Sequence, residues 1–556
     1  MSALEMRGVR VAFSGRPVLD GVDLEVPEGG VFGFIGRNGA GKTTTMKVAL
    51  GLLRPDAGEA RVLGERVRFG DSRTNREVGY LPDVPEFYGH MTAERYLALC
   101  GEVAGMGRAE TRSRAAELLD LVGLASARGR VSGFSRGMRQ RLGIAQALLS
   151  RPRLVICDEP TSALDPVGRR EVLDLLAEIG RGATVLFSTH VLSDVERVCD
   201  RGGDPPRREG RDGRGPRRPQ GRPRRQPRAR GGGGRCRPRR PPRAAGARAV
   251  LGRRGARRAL LHAARRRREG AYGGVPRGAA GGGRVPGLGR RRGADVGGPV
   301  LRGGDMRGYL AFLRKELGEA VAGRRLPVMA ALFCGLGMAS PFLTRYTSEI
   351  LAALGSGVSA SAPRTAADAW GAFFNNASGL GLSITLILWA GVVSQEVSRG
   401  TLLLMVTRGL PRPAVVMAKW TSAVACFTAC WWPGCALASF YIGTLWPGEA
   451  VPGALAAAGA AWVAGVMCLG VLVLGSCLFR QPFAAVVLAG AVVAALSLAS
   501  AAGPLAPLSP ARLLSGAAIA AGEVSAGSLV PPLVAATAVC AAALAGAVAA
   551  FSRRRL

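Results

Sequence analysis

Residues 31–43 read Val-Phe-Gly-Phe-Ile-Gly-Arg-Asn-Gly-Ala-Gly-Lys-Thr, and this stretch decides the fold of the first part of the chain. The apolar run 31–35 predicts a buried strand. Residues 36–43 then fit the pattern GxxxxGK[ST] of a phosphate-binding loop, with a helix expected to follow. Glycines let backbone amides turn toward an anion, and the helix N-terminus adds a positive field. We expect Lys42 to reach the β- and γ-phosphates of a nucleotide and the Thr43 hydroxyl to bind Mg²⁺.

A second apolar run ends in two acidic residues. Residues 154–160 read Leu-Val-Ile-Cys-Asp-Glu-Pro. An aspartate at a strand tip beside a phosphate loop is placed to hold the Mg²⁺ shell, which assigns Asp158. The next carboxylate, Glu159, can orient or deprotonate an attacking water.

With these motifs in place, residues 1–200 resemble the ATP-binding subunit of an ABC transporter. Five further stretches match that family's pattern in order, namely Phe13 and residues 79–83, 134–138, 162–165 and 188–190. The resemblance implies a set of ATP-binding residues: Phe13, Gly36, Asn38, Gly39, Gly41, Lys42, Thr43, Thr44, Ser135, Gly137 and Asp165. It implies Thr43, Asp83 and Asp158 as metal ligands, and Glu159 and His190 as catalytic residues.

Three of the matched stretches leave alternatives or depart from the family. Phe13 is expected to stack on adenine, with ordinary core packing as the alternative. Asp83 stands where the family has glutamine, so it is either a metal contact or a turn residue. The signature reads Phe-Ser-Arg-Gly-Met at 134–138 instead of Leu-Ser-Gly-Gly-Gln, although Ser135 and Gly137, which would touch the γ-phosphate, are retained. After Asp200 the family pattern stops.

The composition divides the chain into three predicted segments, at 1–200, 201–305 and 306–556. The 556 residues carry a formal net charge of +36. Residues 201–305 contribute most of it, with 32 arginines, no lysine and 6 acidic residues. This segment shows no sustained apolar period, so it predicts a disordered Arg/Gly/Pro-rich low-complexity segment without a core of its own.

Two hypotheses account for the middle segment. It is either an RGG-like arm that binds RNA or anionic lipid, or the out-of-frame product of a GC-rich gene. Tyr272 is its one aromatic residue, whereas nucleic-acid arms usually interleave several for stacking. Arg, Gly, Pro and Ala are also the residues whose codons can consist of G and C alone. We therefore favour a frameshift that joins an ATPase gene to a downstream permease gene, and we do not expect nucleic acid as a partner.

The last segment predicts an all-α polytopic membrane domain. A spanning helix needs about 20 apolar residues. Six uncharged runs qualify, at about 326–344, 371–394, 420–445, 453–479, 482–502 and 529–551. With both ends of the segment inside, 13 Lys and Arg residues lie on the inner side and 3 on the outer side, which supports cytoplasmic ends. Residues 306–325 predict an amphipathic surface helix, and the inner loop 395–419 is expected to meet the ATPase domain.

The fold class is thus an α/β P-loop ATPase domain, a disordered segment and a six-span membrane domain resembling an ABC exporter permease. The resemblance implies ATP-driven export of an unidentified substrate across the plasma membrane, with ATP and Mg²⁺ as cofactors. A second copy or a homologous half-transporter is required, because two ATPase domains sandwich the nucleotides. Residues 1–20 lack the apolar stretch of a signal peptide, so the ATPase domain is expected in the cytoplasm. The alternatives are a non-functional fusion of two genes and an ATP-binding protein with an Arg-rich nucleic-acid-binding arm.

The frameshift hypothesis predicts which polypeptides the native gene yields. Antibodies to the two ends of the chain should detect two smaller products, each recognised by one antibody. A single band near 57.7 kDa recognised by both antibodies would contradict the frameshift and require a role for residues 201–305.

Overall fold

The computed structural model describes residues 2–199 except 72 and 163, and residues 303–554 except 354–363 and 502. The predicted segment 201–305, with both hypotheses about it, therefore lies almost entirely outside the described residues. The described residues form an α/β part that ends with Cys199 and a helical part that starts at Gly303.

An antiparallel sheet opens the α/β part. Its four strands lie in the order β2, β1, β4, β5 and span Arg16–Pro27, Ser2–Phe13, Ala57–Val62 and Glu65–Arg66. In β1, the side chains of Leu4, Met6, Val9 and Val11 are buried. The apolar side chains of this sheet pack against the phosphate-loop strand and the helix that follows it.

A parallel sheet leads into the loops that hold the predicted site residues. Its four strands lie in the order β3, β8, β7, β6 and span Gly30–Ile35, Thr184–Thr189, Leu154–Cys157 and Val78–Leu81. Strands β6, β7 and β8 are buried at every position, which explains their near-continuous apolar sequences. The register pairs Ile35 with Thr189, so the loops that follow these strands start at the same edge of the sheet.

Six helices complete the α/β part as described: α1 Lys42–Ala49, α2 Ala93–Val103, α3 Arg108–Leu121, α4 Arg136–Leu148, α5 Pro166–Ile179 and α6 Leu192–Cys199. Helices α2 and α3 both lie between β6 and the signature residues 134–138. Thr92 caps α2 because its side chain accepts a hydrogen bond from the Arg95 amide. Ser135 caps α4 in the same way through the Met138 amide.

The helical part begins with α7, Gly303–Ala322. The helices after it are α8 Arg325–Ala353, α9 Ala366–Asn376, α10 Leu382–Trp389, α11 Ser394–Arg399, α12 Thr401–Thr407, α13 Arg412–Leu445, α14 Ala454–Leu478, α15 Pro482–Ala501, α16 Gly516–Ala520 and α17 Val530–Arg553. A π-helical turn, Ala377–Gly381, joins α9 to α10.

Within the described residues, six helical stretches are long and apolar enough to cross a membrane. They are Arg325–Thr347, Ala366–Arg399, Arg412–Leu445, Ala454–Leu478, Pro482–Ala501 and Gly527–Arg553. The number agrees with the sequence prediction, and each predicted run overlaps one stretch. The third stretch starts eight residues before the predicted run, because the buried side chains of Arg412 and Lys419 make polar contacts inside the protein.

Helix α7 differs from the predicted surface helix. Lys315 and Glu316 are buried, whereas Leu310 is 42% exposed. The Lys315 ammonium lies 2.8 Å from Glu316 and 2.6 Å from Glu396, and Lys419 lies 2.9 Å from Glu316. Burial alone would lower the pKa of Lys315, but these carboxylates raise it above its ordinary value. The predicted helix is present and one of its faces is buried, but that face includes Lys315 and Glu316, which pair with charges of the later helices.

The two parts of the molecule touch through both α7 and the loop between the second and third spans. Lys315 lies 3.8 Å from the ring centroid of Tyr88, a residue of the α/β part. Arg408 donates to the Ser150 hydroxyl at 2.7 Å. Leu403 and Val406 pack into the apolar cluster around the antiparallel sheet. The expected contact between the inner loop 395–419 and the first domain is therefore present.

Close packing of α8 against α13 predicts a position-specific effect of glycine substitution. A Cβ at Gly337 would overlap the carbonyl oxygen of Gly434, whereas a Cβ at Gly335 meets nothing within 4 Å. We expect Gly337→Ala to lower the unfolding free energy in detergent by about 1–3 kcal/mol, because the backbones must separate. Gly335→Ala is the matched control and should be neutral or slightly stabilising. Equal midpoints of thermal unfolding for the two variants would contradict this packing.

Candidate functional site

The phosphate loop joins β3 to α1. Its glycines are needed for backbone geometry, since Gly39 and Gly41 have φ angles of 81° and 89°. A Cβ at Gly41 would also lie 2.6 Å from Leu19. Gly36 starts the loop, where its amide donates to the carbonyl of Thr189. Asn38 is exposed on the loop, and Thr44 lies half-buried in the first turn of α1.

Lys42 is turned back into the loop. Its side chain is 6% exposed, and its ammonium donates to the carbonyl of Gly36 at 2.7 Å. The same ammonium lies 3.0 Å from a carboxylate oxygen of Glu159. A buried cation within a cradle of glycines is suited to receive phosphate oxygens.

Asp158 lies between two hydroxyl groups. Its carboxylate accepts hydrogen bonds from the Thr43 hydroxyl and, at 2.7 Å, from Ser188. Burial raises the pKa of Asp158, and the two hydroxyls oppose that shift. A hydroxyl and a carboxylate side by side are the hard oxygen donors that Mg²⁺ prefers. These two residues therefore fit the metal assigned to them from the sequence.

Glu159 is held between Lys42, which precedes it in the chain, and His190, which follows it. One carboxylate oxygen pairs with Lys42, and the other lies 2.8 Å from Nδ1 of His190. The φ angle of Glu159 is 46°, in the left-handed region that non-glycine residues rarely adopt. Such a conformation persists only where surrounding contacts impose it, and it is concentrated at functional sites.

The sequence analysis missed Ser188 as a positioning residue. Its buried hydroxyl donates to Asp158 and accepts from the backbone amide of Glu159 at 2.9 Å. It thus fixes both acidic residues from the neighbouring strand. The available signal was its place two residues before His190, within one of the stretches that match the family pattern.

The remaining predicted residues lie elsewhere on the domain. Asp83 accepts a hydrogen bond from Ser162, which joins the loop after β6 to the stretch after Glu159. Ser135, Gly137 and Asp165 line one surface pocket, and no phosphate-loop residue is among the described residues around it. Phe13 is 38% exposed at the end of β1. The structure thus groups Lys42, Thr43, Asp158, Glu159 and His190 around the loop and separates the signature residues from them.

The fold and this site define a P-loop nucleotide-binding domain. The sequence model of the family described as ABC transporter matches residues 19–162. The N-terminal part of the chain is therefore an ABC transporter ATP-binding domain, and the six apolar helices fit a membrane domain joined to it.

Curated relatives align with the same part of the chain. The chain is 47% identical over 180 residues to the uncharacterized ABC transporter ATP-binding protein YxlF of Bacillus subtilis (strain 168). This alignment covers 32% of the chain and 59% of that protein. It is 38% identical to the bacitracin transport ATP-binding protein BcrA of Bacillus licheniformis, covering 34% and 61%. It is 39% identical to the daunorubicin/doxorubicin resistance ATP-binding protein DrrA of Streptomyces peucetius, covering 36% and 61%. The chain thus spans less than two thirds of the length of these relatives.

Ser188 provides a test of how the site is held together. Ser188→Ala should leave the half-buried amide of Glu159 without its side-chain acceptor, at a cost of about 1–3 kcal/mol. We expect hydrogen exchange in residues 154–159 of the detergent-solubilised chain to accelerate about tenfold. The exposed Ser193 supplies the control substitution, Ser193→Ala. If both variants exchange at the native rate, Ser188 does not position the two carboxylates.

Proposed function

We propose that this chain uses ATP hydrolysis to drive transport across a membrane. The observation that carries the proposal is the group formed by Lys42, Glu159 and His190 at the phosphate loop, in a chain that also holds six candidate spans. Contacts such as that between Arg408 and Ser150 give the two parts a mechanical connection.

The chemistry assigned to each residue follows from its contacts. The glycine amides and Lys42 bind the phosphates, and Thr43 with Asp158 would hold Mg²⁺, which neutralises phosphate charge when bound. In the structure Lys42 pairs with Glu159. Triphosphate competes for the lysine and so frees the Glu159 carboxylate to orient an attacking water and accept its proton. We assign to His190 the role of donating a hydrogen bond to the γ-phosphate.

A second ATP-binding domain completes the proposed site. Ser135, Gly137 and Asp165 form their own pocket, and Ser135 is an N-cap whose helix directs a positive end outward. We assign this surface to the γ-phosphate bound by the facing domain, which a second copy or a homologous half-transporter supplies. Phe13 is assigned to adenine, and its ring is 38% exposed at the end of β1. Asp83 is assigned to the metal shell, with its bond to Ser162 supporting a turn role equally.

The proposed direction is export across the plasma membrane. Two relatives are named for bacitracin transport and for daunorubicin/doxorubicin resistance, and resistance to a compound fits its removal from the cell. The excess of Lys and Arg on one side of the spans supports a cytoplasmic location for that side and for the ATP-binding domain.

ATP hydrolysis by the purified full chain tests the proposal. Glu159→Gln should lower the ATPase rate by about 10²–10⁴-fold in proteoliposomes, because the proton acceptor is lost. A fluorescent ATP analogue should still bind this variant, whereas Lys42→Ala should lose affinity for it.

The same comparison separates the proposal from a non-functional fusion. An inactive fusion would hydrolyse ATP no faster than Glu159→Gln, and this result would refute the proposed function for this chain. Loss of analogue binding in Glu159→Gln would instead refute the separate roles given to Lys42 and Glu159.

A further inference from the structure

A second connection between the two parts of the molecule ends on the last span. Arg412, the first residue of α13, is 2% exposed. Its Nη1 atom donates to the carbonyl oxygens of Phe551 at 3.2 Å, Ser552 at 2.8 Å and Arg554 at 2.9 Å. These carbonyls belong to the C-terminal end of α17, where backbone acceptors lack helical partners. Arg412, at the start of the third span, thus caps the C-terminal end of the last span.

A residue of the ATP-binding domain packs against the guanidinium group of Arg412. Its guanidinium carbon lies 5.0 Å from the ring centroid of Phe69, a residue that follows β5. Within the described residues, Nε and Nη2 of Arg412 are buried without a hydrogen-bond partner. The aromatic ring is therefore the group placed to compensate the charge that the three carbonyls leave unsatisfied. A Cβ on the neighbouring Gly70 would lie 3.7 Å from the carbonyl oxygen of Ser552, so the two backbones are also close.

A second arginine extends the contact through the membrane helices. Arg554 donates to the carbonyl oxygens of Ser476 and Cys477 at 3.2 and 3.0 Å, at the end of α14. The ends of α13, α14 and α17 are thereby tied together by two guanidinium groups. Movement of Phe69 would alter the environment of a buried charge that has few other partners, and such a charge tolerates little displacement.

We propose that Arg412 is a positioning residue through which the segment around Phe69 controls the cytoplasmic end of the last span. This route differs from the Arg408 contact, which ends on Ser150 next to α4. It rests on the proposed function, because nucleotide binding must move the ATP-binding domain for the coupling to act.

Hydrogen exchange of the full chain in proteoliposomes, with and without ATP and vanadate, tests the coupling. We expect the nucleotide to change exchange in residues 543–554 by about fivefold, the lower end of typical coupling between sites. Phe69→Leu should abolish most of this response. Exchange without nucleotide should stay at the native level, because the three hydrogen bonds from Arg412 to the end of α17 do not involve Phe69 and the apolar leucine still covers the guanidinium. Arg412→Gln should abolish it as well. Arg399→Gln, at an exposed arginine on the same side, is the control and should respond like the native chain.

The exchange experiment has outcomes that lead to different conclusions. A native response of residues 543–554 in Phe69→Leu overturns the coupling. The coupling is also overturned if, in the native chain, the nucleotide slows exchange in residues 36–45 but does not change exchange in residues 543–554. In that case the proposed function stands. If the nucleotide leaves both segments unchanged, the proposed function fails and the coupling fails with it. Faster exchange without nucleotide in Phe69→Leu would show a structural role and also overturn the proposal.

Discussion

The parallel pairing of β3, β8 and β7 is the constraint on which the site depends. Parallel strands start their following loops at one edge of the sheet, and here the register sets Ile35 beside Thr189 and Cys157 beside Phe187. Three stretches far apart in sequence consequently meet around Glu159. A slip of one residue along β7 would move Asp158 and Glu159 away from Ser188 and Lys42, so the contacts of the site require this register.

Much of this site could be predicted from the sequence because its motifs are each contained in a short continuous stretch of residues. The glycine pattern before Lys42 and the two acids after a buried strand each carry their own signal. The role of Ser188 is indicated only by its place two residues before His190, and the ion pair between Lys42 and Glu159 carries no local signal, since both arise from contacts between separate stretches of the chain. The left-handed conformation of Glu159 is likewise imposed by neighbours, and its residue type gives no indication of it.

The helical part was predictable in a different way. Hydropathy gave the number of spans, because their length is set by the thickness of the bilayer. It could not show where α7 would lie, since the helical pattern around Lys315 and Glu316 has the same period on a protein surface and in a protein interior. The buried arginines at 408 and 412 were counted only as signs of cytoplasmic orientation. Their hydrogen bonds to Ser150 and to the end of α17 show that they also join separate parts of the fold.

The buried ion cluster of α7 also bears on how the protein is made. Lys315 and Glu316 find their partners on the second and third spans, at Glu396 and Lys419. Leaving one of these charges unpaired in an apolar surrounding is strongly unfavourable. Helix α7 precedes both of these partners in the chain, so during synthesis Lys315 can pair only with Glu316 and Glu319 of its own helix until the later residues are present. The complete set of ion pairs therefore depends on the arrival of two later segments of the same chain.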